Sequence, residues 1–148
     1  MVRVLAVSSG GGHWEELMLL KDAFDNKAVH FATTFADLPT RAGITEATIL
    51  PDCNRSSKWA AISCIWKAFN LVRLLRPDVV ISTGAAPGFF CIVAGKLFGA
   101  KTLWIESFAN AESLSMCGKL AARIADRTIV QWEHLARPQG PHFAGALL

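Results

Sequence analysis

Tyrosine is absent from this chain, although five tryptophans and nine phenylalanines are present. Other absences exclude more. The four cysteines, Cys53, Cys64, Cys91 and Cys117, are widely spaced and form no Cys-x-x-Cys pair. That argues against a zinc site or a disulfide framework and for buried free thiols in a reducing compartment. There is no Asp-x-Asp and the histidines are scattered, so neither a metal nor a cofactor is expected. No G-x-G-x-x-G follows the first apolar run, and the second ends in Thr33-Thr34 rather than in an acidic residue. Both points count against a free-standing dinucleotide-binding oxidoreductase. Charged residues make up only 18% of the sequence, with a net charge of +3 and no dense basic stripe, so a nucleic-acid partner is not expected.

Long clean apolar runs are missing as well. The best stretch, Val79 to Ala100, is broken by Ser82, Thr83, Pro87, Gly88 and Lys96, whereas a spanning helix needs about 20 apolar residues. The N-terminus runs straight into Val2–Val7 with no signal-peptide pattern. The expectation is a cytoplasmic chain whose membrane contact, if it has one, is peripheral on the inner face of the cell membrane. At 52% hydrophobic residues the chain is too apolar to be disordered and apolar for a free monomer, so a covered partner face or membrane face is expected.

What is present is an alternation of short apolar runs with helical patterns. Strands are expected over Val2–Val7, Ala28–Thr33, Ala47–Leu50, Val79–Ser82, Thr102–Ile105 and Thr128–Val130. Helices are expected over Trp14–Phe24, Lys58–Leu75, Pro87–Phe98 and Leu114–Ala125, and a loop or short helix over Phe35–Gly43. The strands are continuous Val/Ile/Leu runs, as in strands covered on both faces. The pattern predicts one α/β domain over residues 1–148: a Rossmann-like, mostly parallel sheet with helices on both faces. The tail, 133–148, holds Pro138, Gly140, Pro141 and Gly145 and reads as a connection lying at a partner interface.

Parallel sheets bind ligands beyond the carboxyl ends of their strands. Three turns fall there. In Ser8-Ser9-Gly10-Gly11-Gly12-His13, the glycines let backbone approach an anion and the following helix adds unpaired N–H groups. Ser9, Gly10, Gly11 and Gly12 are therefore candidate diphosphate contacts; a tight turn without a ligand is the plainer alternative. His13 is the candidate general base, since an imidazole titrates near neutrality, or it merely caps the helix. The second turn, Ser82–Gly88, repeats the arrangement through Thr83 and Gly84. The third, Glu106–Ser113, offers Glu106 as an alternative base or sugar contact, or as a capping or interface carboxylate. Ser107, Asn110, Ser113 and Ser115 are candidate polar liners. His30 reads as structural, and His134 and His142 belong to the tail.

From Cys53 to Pro77 there is no acidic residue, while Arg55, Lys58, Lys67, Arg73 and Arg76 are interleaved with Trp59, Trp66 and many aliphatics. A basic, Trp-rich helix suits the surface of an anionic bilayer, with Arg55, Lys58, Trp59, Trp66 and Lys67 as contacts. A core helix with snorkelling basic ends is the alternative.

The stretch from Asp78 to Trp132 carries a resemblance. Val79-Val80-Ile81, the turn Ser82–Gly88, Trp104–Ser115, Gly118-Lys119-Leu120, Ile124–Arg127 and Val130-Gln131-Trp132 follow one another in an order similar to the PssD and asparagine-linked-glycosylation-14 family. That family is the acceptor-side half of a two-domain (GT-B) glycosyltransferase, and the N-terminal domain of MurG is distantly similar. The resemblance implies a subunit that transfers sugar from a UDP-sugar to a polyprenyl-diphosphate-linked saccharide in capsule or exopolysaccharide synthesis, with a separate PssE-like chain binding the donor. A non-catalytic module that recruits and activates the donor subunit at the membrane is the alternative.

Overall fold

The computed structural model describes all residues except 54–56, so Arg55 lies outside the described residues. The strands are β1 (Arg3–Ser8), β2 (Ala28–Thr33), β3 (Ala47–Ile49), β4 (Val79–Gly84), β5 (Lys101–Ile105), β6 (Arg127–Val130) and β7 (His142–Phe143). They form one parallel sheet in the order β3-β2-β1-β4-β5-β6-β7. The helices are α1 (Gly12–Leu19), α2 (Asp37–Arg41), α3 (Lys58–Leu75), α4 (Ala85–Leu97) and α5 (Met116–Ile124). The expected α/β architecture is therefore what the chain adopts.

Strand β1 shows why apolar residues run on without alternating. Leu5 and Val7 enter the core layer beneath α3, α4 and α5, with Ala68, Val72, Ile92 and Ala121. Val4 and Ala6 enter the opposite layer beneath α1, with Trp14, Leu17, Phe24 and Phe31. Each face of the strand has its own core, so each position must be apolar. Chain order reverses direction between β1 and β4, and that switch point opens a crevice at their carboxyl ends.

Several boundaries differ from expectation. Helix α1 stops at Leu19 and the chain tightens into a 3-10 turn, Lys21–Phe24, that carries Phe24 to Phe31 with ring centroids 6.0 Å apart. Helix α4 starts at Ala85 rather than at Pro87, directly from β4. Helix α5 starts at Met116 because the Ser115 hydroxyl caps it, accepting from the Gly118 N–H at 2.9 Å. The tail adds β7 alongside β6, and its Leu147 N–H donates to Gln131 Oε1 at 2.9 Å. Among the cysteines, Cys64 and Cys91 are buried, but Cys53 and Cys117 are only half-buried. Burial, then neighbouring charge, pushes the Cys64 thiol up to about 12. His30 is structural, as expected: its Nε2 pairs with Thr48 Oγ1 at 2.8 Å, and burial lowers its pKa.

Candidate active site

Beyond the carboxyl ends of the strands lies an open cleft of about 480 Å³. Its walls are the first residues of three helices: Gly12 and His13 of α1, Ala85 and Ala86 of α4, and Ser115 with Met116 at the start of α5. Ser107, Ala109 and Asn110 from the loop after β5, Cys117 of α5 and Cys53 before α3 complete it. Helix N-termini present unpaired N–H groups and a partial positive charge, each end worth up to about half an elementary charge. Three such ends line this cleft, and none of its described lining residues is Lys or Arg.

His13 is held in this cleft by a defect in the sheet. The β1–β4 register runs Val7↔Ser82 and then Ser8↔Gly84, so Thr83 is an extra residue outside the ladder. Its freed carbonyl meets His13 Nδ1 at 3.0 Å, and its hydroxyl donates to the His13 carbonyl at 2.6 Å. A carbonyl can only accept, so Nδ1 carries the hydrogen and the neutral ring keeps its acceptor lone pair on Nε2. Gly84 makes room for the ring: it sits at φ 145°, and a Cβ there would overlap the imidazole. Thr83 and Gly84 are thus buried supports of His13, and the cleft wall they were expected to form is made by Ala85 and Ala86. The Gly84 N–H is itself taken by Ser82 Oγ at 3.2 Å.

In the first turn, Gly12 lines the cleft, and the Gly11 carbonyl accepts from the Trp14 and Glu15 N–H groups. The Gly10 N–H donates to Thr34 Oγ1 at 3.1 Å, with the exposed Phe35 ring lying against Gly10. Ser9 is half-buried beside it.

Glu106 does not face the cleft. It is 1% exposed, and its carboxylate accepts from Trp104 Nε1 and from the Ser115 N–H at 2.9 Å each, and from Asn110 Nδ2. Alternation along β5 turns Trp104 and Glu106 to the same side, into the layer that α5 covers, and away from the strand tip. The carboxylate therefore folds the loop back and delivers Asn110 and Ser115 to the cleft. Ser113 is exposed on the outer bend of that loop, apart from the His13 cleft. The loop is further pinned by Trp132, whose ring stacks on Phe108 at 4.6 Å and whose Nε1 donates to the Phe108 carbonyl at 2.8 Å.

One charged residue that the sequence reading passed over is Glu16, buried one turn after His13. Its Oε1 accepts from the Phe108 N–H at 2.7 Å, Gln131 Nε2 at 3.1 Å and Ser107 Oγ at 3.3 Å. The signal for it was a carboxylate on the buried face of a short helix, three positions from the candidate base.

Of the candidate membrane contacts, Trp59 is 82% and Trp66 67% exposed. They share a stripe with Ile62, at i, i+3 and i+7, opposite the buried Cys64, Ala68, Leu71 and Val72. Lys58 and Lys67 are exposed on the same helix. Among the described residues, no helix is long and apolar enough to cross a membrane.

Residues 42–147 match the family described as "Oligosaccharide biosynthesis protein Alg14 like". The chain is 27% identical over 168 residues to the UDP-N-acetylglucosamine transferase subunit alg14 of Schizosaccharomyces pombe, covering 90% of this chain and 77% of that protein. It is 31% identical over 86 residues to the rat subunit ALG14, covering 54% of this chain and 40% of the rat protein. Among solved structures, MurG of Acinetobacter baumannii has the same fold at a TM-score of 0.78 and 13% identity, across 99% of this chain and 46% of MurG. A UDP-N-acetylglucosamine 2-epimerase from Rickettsia bellii follows at 0.75 and 15% identity, across 99% of this chain and 45% of the epimerase. This chain thus spans less than half the length of either solved protein.

Proposed function

The chain belongs to the Alg14-like oligosaccharide biosynthesis family, and from that premise we propose that it is the acceptor-binding subunit of a two-component glycosyltransferase. The donor is a UDP-sugar, with UDP-N-acetylglucosamine the first to try, since that sugar nucleotide appears in the names of the curated relatives. The acceptor is a polyprenyl-diphosphate-linked saccharide destined for a surface polysaccharide. A PssE-like chain binds the donor and closes over the cleft.

The observation that carries this reading is the fixed tautomer of His13. Its Nδ1–H is committed to the Thr83 carbonyl, so Nε2 is left to take a proton at the mouth of a cleft ringed by helix N-termini. In the step proposed, an acceptor hydroxyl gives its proton to Nε2 while its oxygen bonds to the anomeric carbon. The bond from that carbon to the UDP phosphate breaks, and its electron pair leaves on UDP. The converging helix ends hold the acceptor diphosphate. Glu106 and Thr83 keep the cleft in shape and take no proton. The tail, 133–148, is assigned to the partner interface, consistent with β7 being the short edge strand of the sheet and with exposed Phe143 and Leu148. The deciding experiment supplies labelled UDP-sugars to membranes with this chain alone, with the partner alone and with both. Label enters the lipid fraction only with both; transfer by the partner alone would leave this chain a recruiting scaffold.

Membrane attachment is assigned to the outer stripe of α3. Trp59, Ile62 and Trp66 would lie at the headgroup boundary, with Lys58, Lys67 and Arg73 towards anionic phosphates. Trp59→Ala with Trp66→Ala is expected to weaken flotation with phosphatidylglycerol vesicles by roughly tenfold, at an unchanged melting temperature. Equal flotation of both proteins, or no preference over neutral vesicles, would remove this face from the membrane.

A further inference from the structure

We propose that Glu16 is a positioning residue for sugar transfer: it fixes the distance between His13 and the opposite wall of the cleft. The inference rests on His13 being the base. Helix α1 carries His13 in its first turn and Glu16 one turn later, on one rigid element. From there the Glu16 carboxylate reaches across the carboxyl edge of the sheet to the loop after β5, where Ser107 and Phe108 donate to it. Gln131, just past β6, donates both to Glu16 and to the Glu106 carbonyl, so the far wall is tied at two adjoining points. Ser107 lines the cleft and also accepts from the Ala109 N–H, so the strut ends on the wall that presents Asn110.

The composition of this strut separates it from an ordinary polar plug in a core. All three protein donors converge on Oε1, while Oε2 is buried with no protein partner. A carboxylate buried with one oxygen unmatched is a costly way to fill space, and an apolar side chain would pack there at lower cost. What an apolar side chain lacks is a fixed reach to the Phe108 amide from the helix that carries His13. Transfer depends on such spacing, because a base displaced by about 1 Å loses on the order of 10²-fold in rate.

Reach, rather than charge, is therefore the property to vary. Glu16→Gln keeps the oxygen at full length and drops the charge. Glu16→Asp keeps the charge and draws the oxygen back by one C–C bond, about 1.5 Å. Glu16→Ala removes both. Each variant is expressed with the donor-side partner and assayed with labelled UDP-N-acetylglucosamine on host membranes, and hydrogen exchange of the Phe108 amide is followed in the same complexes. The expected result is a kcat lowered on the order of 10²-fold in Glu16→Asp and Glu16→Ala, with the KM for the sugar nucleotide unchanged. Glu16→Gln recovers most of the turnover, and Phe108 exchange is fast only in the two poor variants. Should Glu16→Ala fail to fold, the Asp and Gln pair decides alone. Turnover retained in Glu16→Asp, or lost in Glu16→Gln, overturns the inference while His13 keeps its role. No transfer by the unsubstituted complex overturns the reading of the site, and this inference with it.

Discussion

Replacing His13 with alanine is expected to cut sugar transfer by roughly 10²–10⁴-fold while the chain still folds and still co-purifies with its partner. The size of the loss follows from the proposed role: a positioned base contributes that much when it removes a proton in the transition state. The selectivity follows from the geometry. His13 is half-buried at the start of α1, and its side chain makes one hydrogen bond, to the Thr83 carbonyl. Thr83 keeps its hydroxyl bond to the backbone carbonyl of residue 13 in the variant, so the bulge and the α1 N-terminus survive. The stability cost is confined to one lost side-chain bond, about 1 kcal/mol. The measurement is steady-state transfer by the paired chains beside a melting curve and a pull-down. Turnover within about threefold of the unsubstituted complex would mean that the proton leaves by another route, since a true base contributes far more. This chain would then be the recruiting scaffold.

Legibility in the sequence followed the size of each signal. The sheet could be read because strands buried on both faces must be continuous apolar runs; Val4-Leu5-Ala6-Val7 feeds two separate cores. The position of the first Gly-rich turn at the carboxyl end of the sheet could be read because it follows β1 directly, and the position of His13 came with it. The bulge at Thr83 could not, because it is a one-residue slip between β1 and β4 that no local pattern encodes. Thr83 and Gly84 consequently looked like ligand contacts when they support the imidazole. The inward turn of Glu106 was available in outline, since Trp104 and Glu106 must share a face of β5; recognising it needed the indole to be seen as a donor. Glu16 escaped because the Glu15-Glu16 pair in an eight-residue helix normally reads as solvated surface, and the partners of Glu16 lie 91 to 115 residues away. Helix α1 ended early for a similar tertiary reason, the pull of Phe24 towards Phe31.

Gly118→Ala sets two physical effects of opposite sign against each other. Within a helix such as α5, glycine to alanine ordinarily stabilises by about 1 kcal/mol. Here the new methyl would occupy the space of the Glu106 carboxylate: a Cβ on Gly118 overlaps Oε2 and lies 2.7 Å from Cδ. Glu106 is fully enclosed, so it can move only by breaking its bonds to Trp104, Asn110 and Ser115. Each donor left unmatched in a buried place costs about 1–3 kcal/mol. Losing two of the three outweighs the propensity gain, for a net destabilisation of about 1–5 kcal/mol. In a domain of this size that lowers the melting temperature by roughly 3–20 °C. Asn110 and Ser115 would move with the carboxylate, so transfer by the surviving folded complex should fall as well, with Ser115 also ceasing to hold the start of α5 in place. A melting temperature equal to or above that of the unsubstituted chain would show that Glu106 has room to turn away, and that the loop keeps its shape by the Phe108–Trp132 stack and the Glu16 bonds instead.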